Sequence, residues 1–234
     1  MSRTGISDGE CDESRKANDD RRQGRFHFSE RGCEQAGYLS EYLCGSGPTD
    51  ICVSPPDFTL VAISGLEWDH DMAPWDIPPI SKKDTPCTGG ADSYLGLLLS
   101  KIIPEAEKQI SGTPVWRGIA GYSLAGLFAV YAMYQTDAFS RIASMSGSLW
   151  FPGIKEYIFS HEEKRKPDCL YFSLGDKENK TRNPFLKCVR QNTEQIEAFY
   201  RGKEIDTVFW LNPGNHFQDA VARSADGIAW ILSK

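Results

Sequence analysis

Residues 116–126 read Trp-Arg-Gly-Ile-Ala-Gly-Tyr-Ser-Leu-Ala-Gly and set one serine, Ser123, between two largely apolar segments. A serine hydroxyl is a weak nucleophile at neutral pH. It does covalent chemistry only with a base in hydrogen-bond reach and a donor aimed at the oxyanion that forms. A sharp strand-to-helix turn offers both openings, because it lifts the hydroxyl clear of the sheet and points the next amide, here Leu124 N–H, at the developing charge. The tightness of such a turn demands small residues two before and two after the serine. Gly121 and Ala125 meet that demand, with Ala125 standing where the short motif has glycine, and Gly126 then allows the helix to approach the strands. The competing reading of Ser123 is an N-cap on an ordinary strand–helix turn.

A serine of this kind needs a base and an orienting acid, in the chain order serine, acid, histidine. His216 lies in Pro213-Gly214-Asn215-His216-Phe217, a loop expected directly after the last strand; His27, His70 and His161 have no such strand-end position. For the acid, the strand ending Leu170-Tyr171-Phe172-Ser173-Leu174-Gly175 is followed by Asp176 and Glu178, and either could hold the imidazole. Both could instead be solvated charges facing Lys177, Lys180 or Arg182. A second oxyanion donor is expected in the loop after the Phe58–Ile63 strand, from the amides of Leu66, Glu67 or Trp68. In the same loop Trp68, Met72 and Trp75 could line a substrate pocket, or equally cover the sheet edge.

The elements that must position these groups follow from apolar patterning. Phe58–Ile63, a short continuous apolar run with β-branched residues after Pro55-Pro56, predicts a buried strand of the parallel type. Leu66–Gly90 carries four prolines and reads as a long functional loop. Tyr94, Leu95, Leu98, Leu99, Ile102 and Ile103 form one stripe of a helix over 92–109, which Pro104 would kink. Strands are then expected at 115–120, 142–145, 169–174 and 207–211. Helices are expected at 124–134, at 184–201 with Asn183 as N-cap, and at 217–232. Strands alternating with helices predict an α/β fold: a mostly parallel central sheet with helices on both faces. Weak strands are also expected at 37–43 and 50–53.

With these residues assembled, the chain resembles the putative-esterase branch of the α/β-hydrolase superfamily, which includes the siderophore (trilactone) esterases and the esterase-D-like enzymes. The resemblance runs from about Phe58 to the C-terminus. It rests on Trp68-Asp69-His70-Asp71-Met72 with Pro74-Trp75, on Gly121–Ala129, on Ser146-Gly147-Ser148-Leu149-Trp150, on Gly175-Asp176-Lys177-Glu178 and on Gly214-Asn215-His216. It implies an α/β-hydrolase fold and a cofactor-free serine hydrolase acting on carboxylic esters, with Ser123 as nucleophile and His216 as base. It also aligns a glutamate-bearing loop at Glu178, which favours Glu178 over Asp176. The substrate expected is a siderophore-type or other small ester. An acyltransferase using the same acyl-serine, or a non-catalytic ligand-binding homologue, are the alternatives.

Composition bounds the remainder. The 234 residues are 40% hydrophobic and 25% charged, with 21 glycines, as in a globular chain, and no run of about 18 apolar residues reads as a membrane span. A net charge of −6 argues against nucleic-acid binding through a broad basic surface. Seven cysteines, no Cys-x-x-Cys pair and no apolar leader at the N-terminus predict free thiols in a cytoplasmic protein without a structural zinc. No metal and no cofactor are expected; the spacing of Gly118, Gly121 and Gly126 does not match a dinucleotide-binding loop. Residues 1–35, charged, with few apolar anchors and no helical or strand period, are expected to be a flexible extension ahead of a single α/β-hydrolase domain at 36–234.

Overall fold

The computed structural model describes residues 58–110 and 112–234, and in addition the backbone of a strand at Arg25–Phe28. Four parallel strands form the central sheet in sequential order: β5 (Gly118–Tyr122), β6 (Arg141–Met145), β7 (Cys169–Gly175) and β8 (Asp206–Asn212). Strand β7 is buried along its whole length, as a parallel strand covered on both faces must be. The register aligns the carboxyl ends: Tyr122 pairs with Met145, Met145 with Ser173, and Gly175 with Asn212. The loops after four consecutive strands therefore open on one edge of the sheet, where open α/β sheets bind ligands.

Alternate side chains serve two cores. Ile142, Leu170 and Phe172 pack on one face with α4 (Leu124–Ala132) and α6 (Val189–Gly202), through Leu127, Ile196 and Tyr200. Ala143, Met145, Cys169 and Tyr171 point the other way, against Ile231 of α7 (Ala220–Leu232). Helix α4 is apolar on nearly every side because it lies under other elements rather than at the surface. Gly227 brings α7 close to the sheet; a Cβ there would stand 2.6 Å from Met145 Sδ.

Several expected elements differ in detail. Val61–Ser64 (β2) is only half-buried, and it pairs antiparallel with β1, Arg25–Phe28. It is not the buried parallel strand expected there, since a short apolar run reads alike in both settings. Its partner lies in the charged segment expected to have no strand period; the weak strands at 37–43 and 50–53 fall outside the described residues. The Leu66–Gly90 segment is not one loop. It holds a single helical turn, α1 (Trp68–Asp71), and a two-stranded ribbon, β3 (Asp76–Ile77) and β4 (Cys87–Thr88). His70 Nδ1 is 2.7 Å from Thr88 Oγ1 and Thr85 bonds to Asp69, so α1 is tied to the ribbon.

The helix expected over 92–109 is three pieces: α2 (Ala91–Leu97), a π-helical stretch over Leu98–Ile102, and α3 (Ile103–Glu107). Pro104 lacks an N–H and its ring would strike the carbonyl four residues back, and the wider π turn accommodates both. Strand β5 begins at Gly118 rather than Val115, which is 97% exposed. The helix expected from 184 begins instead at Val189, with Cys188 rather than Asn183 at its N-cap; Asn183 Oδ1 accepts from Phe185 N–H (2.9 Å) ahead of a short 3₁₀ turn, Leu186–Cys188. Helix α7 starts at Ala220, three residues late, because Asp219 takes a left-handed conformation (φ 55°). α5 (Ile154–Ser160) completes the set among the described residues.

Candidate active site

The turn from β5 to α4 forces Ser123 into a backbone conformation that L-residues rarely adopt, φ 59° and ψ −123°. The chain around it is locked. Ser123 N–H donates to Met145 O (3.1 Å), while its carbonyl accepts from Gly126, Leu127 and Ser148 N–H at 3.0–3.1 Å. A Cβ on Gly121 would fall on the Ala125 carbonyl, so the turn closes only with glycine at that position. One on Gly126 would stand 2.9 Å from Gly121 O and from Ser144 Oγ.

Ser123 Oγ lies 3.0 Å from His216 Nε2, and His216 Nδ1 lies 2.8 Å from Glu178 Oε2. An ionised carboxylate can only accept, so Nδ1 carries the proton toward Glu178 and Nε2 is left to accept from the serine hydroxyl. Glu178 is enclosed, its side chain 5% exposed. Its Oε1 accepts from Gly175 N–H (2.6 Å), Ser146 Oγ (2.7 Å) and Arg223 Nη1 (3.3 Å). Burial pushes this carboxyl's pKa up, but the hydrogen bonds from His216, Gly175 N–H and Ser146 outweigh it and hold the value below the ordinary carboxylate level.

Asp176 stands apart from the imidazole. Its Oδ1 accepts from Gly214 N–H (2.7 Å), and so it holds the histidine loop by its backbone. Of the amides considered as oxyanion donors, Leu124 N–H opens α4 and has no backbone acceptor among the described residues, and those of Leu66 and Trp68 are likewise without one there. Glu67 N–H is committed to Asp71 Oδ2 (2.8 Å), which removes it from that set. Trp68 is 43% exposed, whereas Met72 is 2% exposed within the core. Trp75 donates to Pro152 O (3.0 Å) and stacks edge-on against Tyr131 and Phe151. Met72 thus packs within the core, and Trp75 lies half-buried against it.

Residues 57–209 match the family described as Putative esterase. The chain belongs to that family. Over 151 residues it is 25% identical to the Uncharacterized protein YbbA of Bacillus subtilis (strain 168), covering 63% of this chain and 60% of that protein. The chain thus spans about 60% of the length of the curated relative it matches. Among solved structures, an IroE-like serine hydrolase from Shewanella oneidensis superimposes with a TM-score of 0.64 at 20% identity, over 76% of this chain and 61% of the other. The siderophore hydrolase EstA from Aspergillus nidulans gives 0.60 at 18% identity, over 77% and 73%. At these identities the likeness is one of fold: the family member described here has the α/β-hydrolase architecture. Among its described residues no helix is long and apolar enough to cross a membrane.

Three residues of the site are given no role by the sequence: Tyr122 and Ser146, which lie in quoted motifs, and Arg223. Tyr122 Oη donates to the His216 carbonyl (2.7 Å), and Ser146, at a left-handed φ of 45°, turns its hydroxyl onto Glu178. For Arg223 a signal existed. It shares the i, i+4, i+8 stripe of α7 with Gly227 and Ile231, which face the sheet, and a cation on a buried stripe requires a buried acceptor.

Proposed function

We propose that the chain hydrolyses carboxylic esters through an acyl-serine intermediate, with Ser123 as nucleophile, His216 as general base and Glu178 as the orienting acid. The observation that carries this reading is the unbroken line Ser123 Oγ–His216 Nε2, His216 Nδ1–Glu178 Oε2 at 3.0 and 2.8 Å, at the carboxyl edge of the sheet. As the hydroxyl attacks the ester carbonyl, Nε2 takes its proton and the imidazolium that results is stabilised by Glu178. Leu124 N–H receives the oxyanion, with Leu66 or Trp68 N–H as the candidate second donor. His216 then gives the proton to the leaving alcohol, draws one from water as that water attacks the acyl-serine, and passes it to Ser123 Oγ as the acyl–oxygen bond breaks and the carboxylic acid leaves.

The exposed indole of Trp68 supplies an apolar wall for the substrate. A siderophore-type or other small ester is the substrate class proposed, in line with the names carried by the solved structures of like fold. The test is fluorophosphonate labelling with peptide mapping beside turnover of short-chain p-nitrophenyl esters. Label on Ser123 together with turnover is the expected result. Ser123→Ala should lower kcat by more than about 10³-fold while leaving the fold intact. A purified Ser123→Ala protein that keeps more than roughly a few per cent of the rate refutes the assignment.

A further inference from the structure

The imidazole of His216 is 29% exposed on a loop, so its placement depends on how the loop itself is held. Three side chains, from β5, from the turn after β7 and from α7, grip that loop's backbone. Asp176 takes Gly214 N–H, Tyr122 Oη donates to His216 O (2.7 Å), and Arg223 Nη2 donates to Pro213 O (2.8 Å). Only Arg223 also reaches the acid. Its Nη1 stands 3.3 Å from Glu178 Oε1, 3.3 Å from Ser146 Oγ and 3.4 Å from Tyr122 Oη. Arg223 is 2% exposed, and its Nε has no partner among the described residues. A guanidinium kept out of water is costly, and a methionine of similar length would fill the space without that cost. The charged end converges on the two things the base depends on, its carboxylate and its loop.

We infer that Arg223 is a positioning residue for the proposed reaction, joining the Glu178 carboxylate and the histidine loop into one rigid unit that Tyr122 extends to the strand bearing the nucleophile. The inference rests on the serine-hydrolase reading. Arg223, Ser146 and Gly175 N–H all converge on Oε1, which fixes the rotation of the carboxylate and leaves Oε2 for His216. Tyr122 immediately precedes Ser123, so its bond to His216 O sets the separation of base and nucleophile from the nucleophile's own side.

The experiment compares Arg223→Met, Arg223→Lys and Tyr122→Phe with the wild type. It reads kcat and KM on a short-chain p-nitrophenyl ester, urea midpoints, and amide hydrogen exchange over residues 213–217. Folded Arg223→Met should keep KM and lose kcat by about 10²-fold, the loss expected for a displacement near 1 Å of a reacting group. Arg223→Lys, which keeps the charge but not the fork, should recover about tenfold of that loss. Exchange over 213–217 should quicken in Arg223→Met while β6 and β7 stay protected. A merely structural arginine would lower the urea midpoint and leave the kcat of the folded protein unmoved, so a kcat within about threefold of wild type overturns the inference.

Should Arg223→Met fail to fold, Tyr122→Phe carries the test, since it removes one hydroxyl. A fall of about 3–10-fold in kcat at constant KM supports the unit, and an unchanged kcat overturns it. A wild type that neither labels nor turns over defeats the hydrolase reading by itself. Exchange then decides the clamp alone, and unchanged exchange over 213–217 in whichever of Arg223→Met and Tyr122→Phe folds overturns it.

Discussion

Replacing Glu178 by glutamine separates the two services that its carboxylate performs. At the Oε1 position three donors converge, Gly175 N–H, Ser146 Oγ and Arg223 Nη1, so the glutamine oxygen must stay there. Its amide nitrogen is then left facing His216 Nδ1, where Oε2 had been 2.8 Å away. Two N–H groups cannot share that contact. The imidazole must turn its proton to Nε2, which then cannot accept from Ser123. The same tautomer error in serine-histidine-aspartate enzymes lowers kcat by about 10⁴-fold, or roughly 5 kcal/mol of transition-state stabilisation.

Stability falls as well, because Arg223, its side chain 3% exposed, loses its counter-charge, at a cost of about 3 kcal/mol. The carboxyl titrates below its ordinary value in the folded chain. Its contribution is therefore complete above the ordinary carboxylate range and is lost as pH falls through the lowered value. The urea-midpoint gap between wild type and Glu178→Gln should accordingly narrow on acidification through that range. Asp176→Asn is the internal control: an amide oxygen still accepts from Gly214 N–H, so kcat should change by less than about threefold. Steady-state turnover of a p-nitrophenyl ester by folded Glu178→Gln protein decides the matter. A kcat above about one tenth of wild type would refute the tautomer argument and remove Glu178 from the acid role.

Packing and exposure set three further outcomes. Gly121→Ala should abolish soluble folded protein or labelling at Ser123, because the added Cβ lands on the Ala125 carbonyl; a stable variant that labels normally would show that the turn can open. Met72→Ala should destabilise the fold by about 2–5 kcal/mol in urea titration with KM unchanged, while Trp68→Ala should raise KM for apolar esters with stability nearly unchanged.

What could be read from the sequence was what chemistry imposes locally. The small residues around Ser123 are there because the turn closes on itself, and a collision of that kind leaves its mark within five residues. His216 was legible for a related reason. The strand before it and the helix after it bracket a short loop at the sheet's carboxyl edge, and strand–helix alternation fixes which edge that is. Burial was less legible. Trp68, Met72 and Trp75 share one short segment of mixed polarity, and only the packing of α1 onto the ribbon and α2 decides that Met72 goes inward while Trp68 stays at the surface.

The choice between Asp176 and Glu178 shows where local reading stops. Glu178 N–H bonds back to Gly175 O (3.1 Å), so the chain reverses within four residues and the two carboxylates leave the turn in different directions. One meets the imidazole and the other meets an amide two residues before it in the same loop. Both carboxylates therefore serve His216, one through its ring and one through its backbone, and residue type carries no information about which does which. That information lies in partners distant in sequence: Ser146 at the end of β6 and Arg223 on α7, which bind Glu178 and not Asp176. A buried cation on the sheet-facing stripe of α7 demands a buried anion, and the enclosed carboxylate at the end of β7 is the one that meets it. The fold thus sets Glu178 against the imidazole through the residue that neutralises it, and the same contact ties that carboxylate to the loop that carries His216.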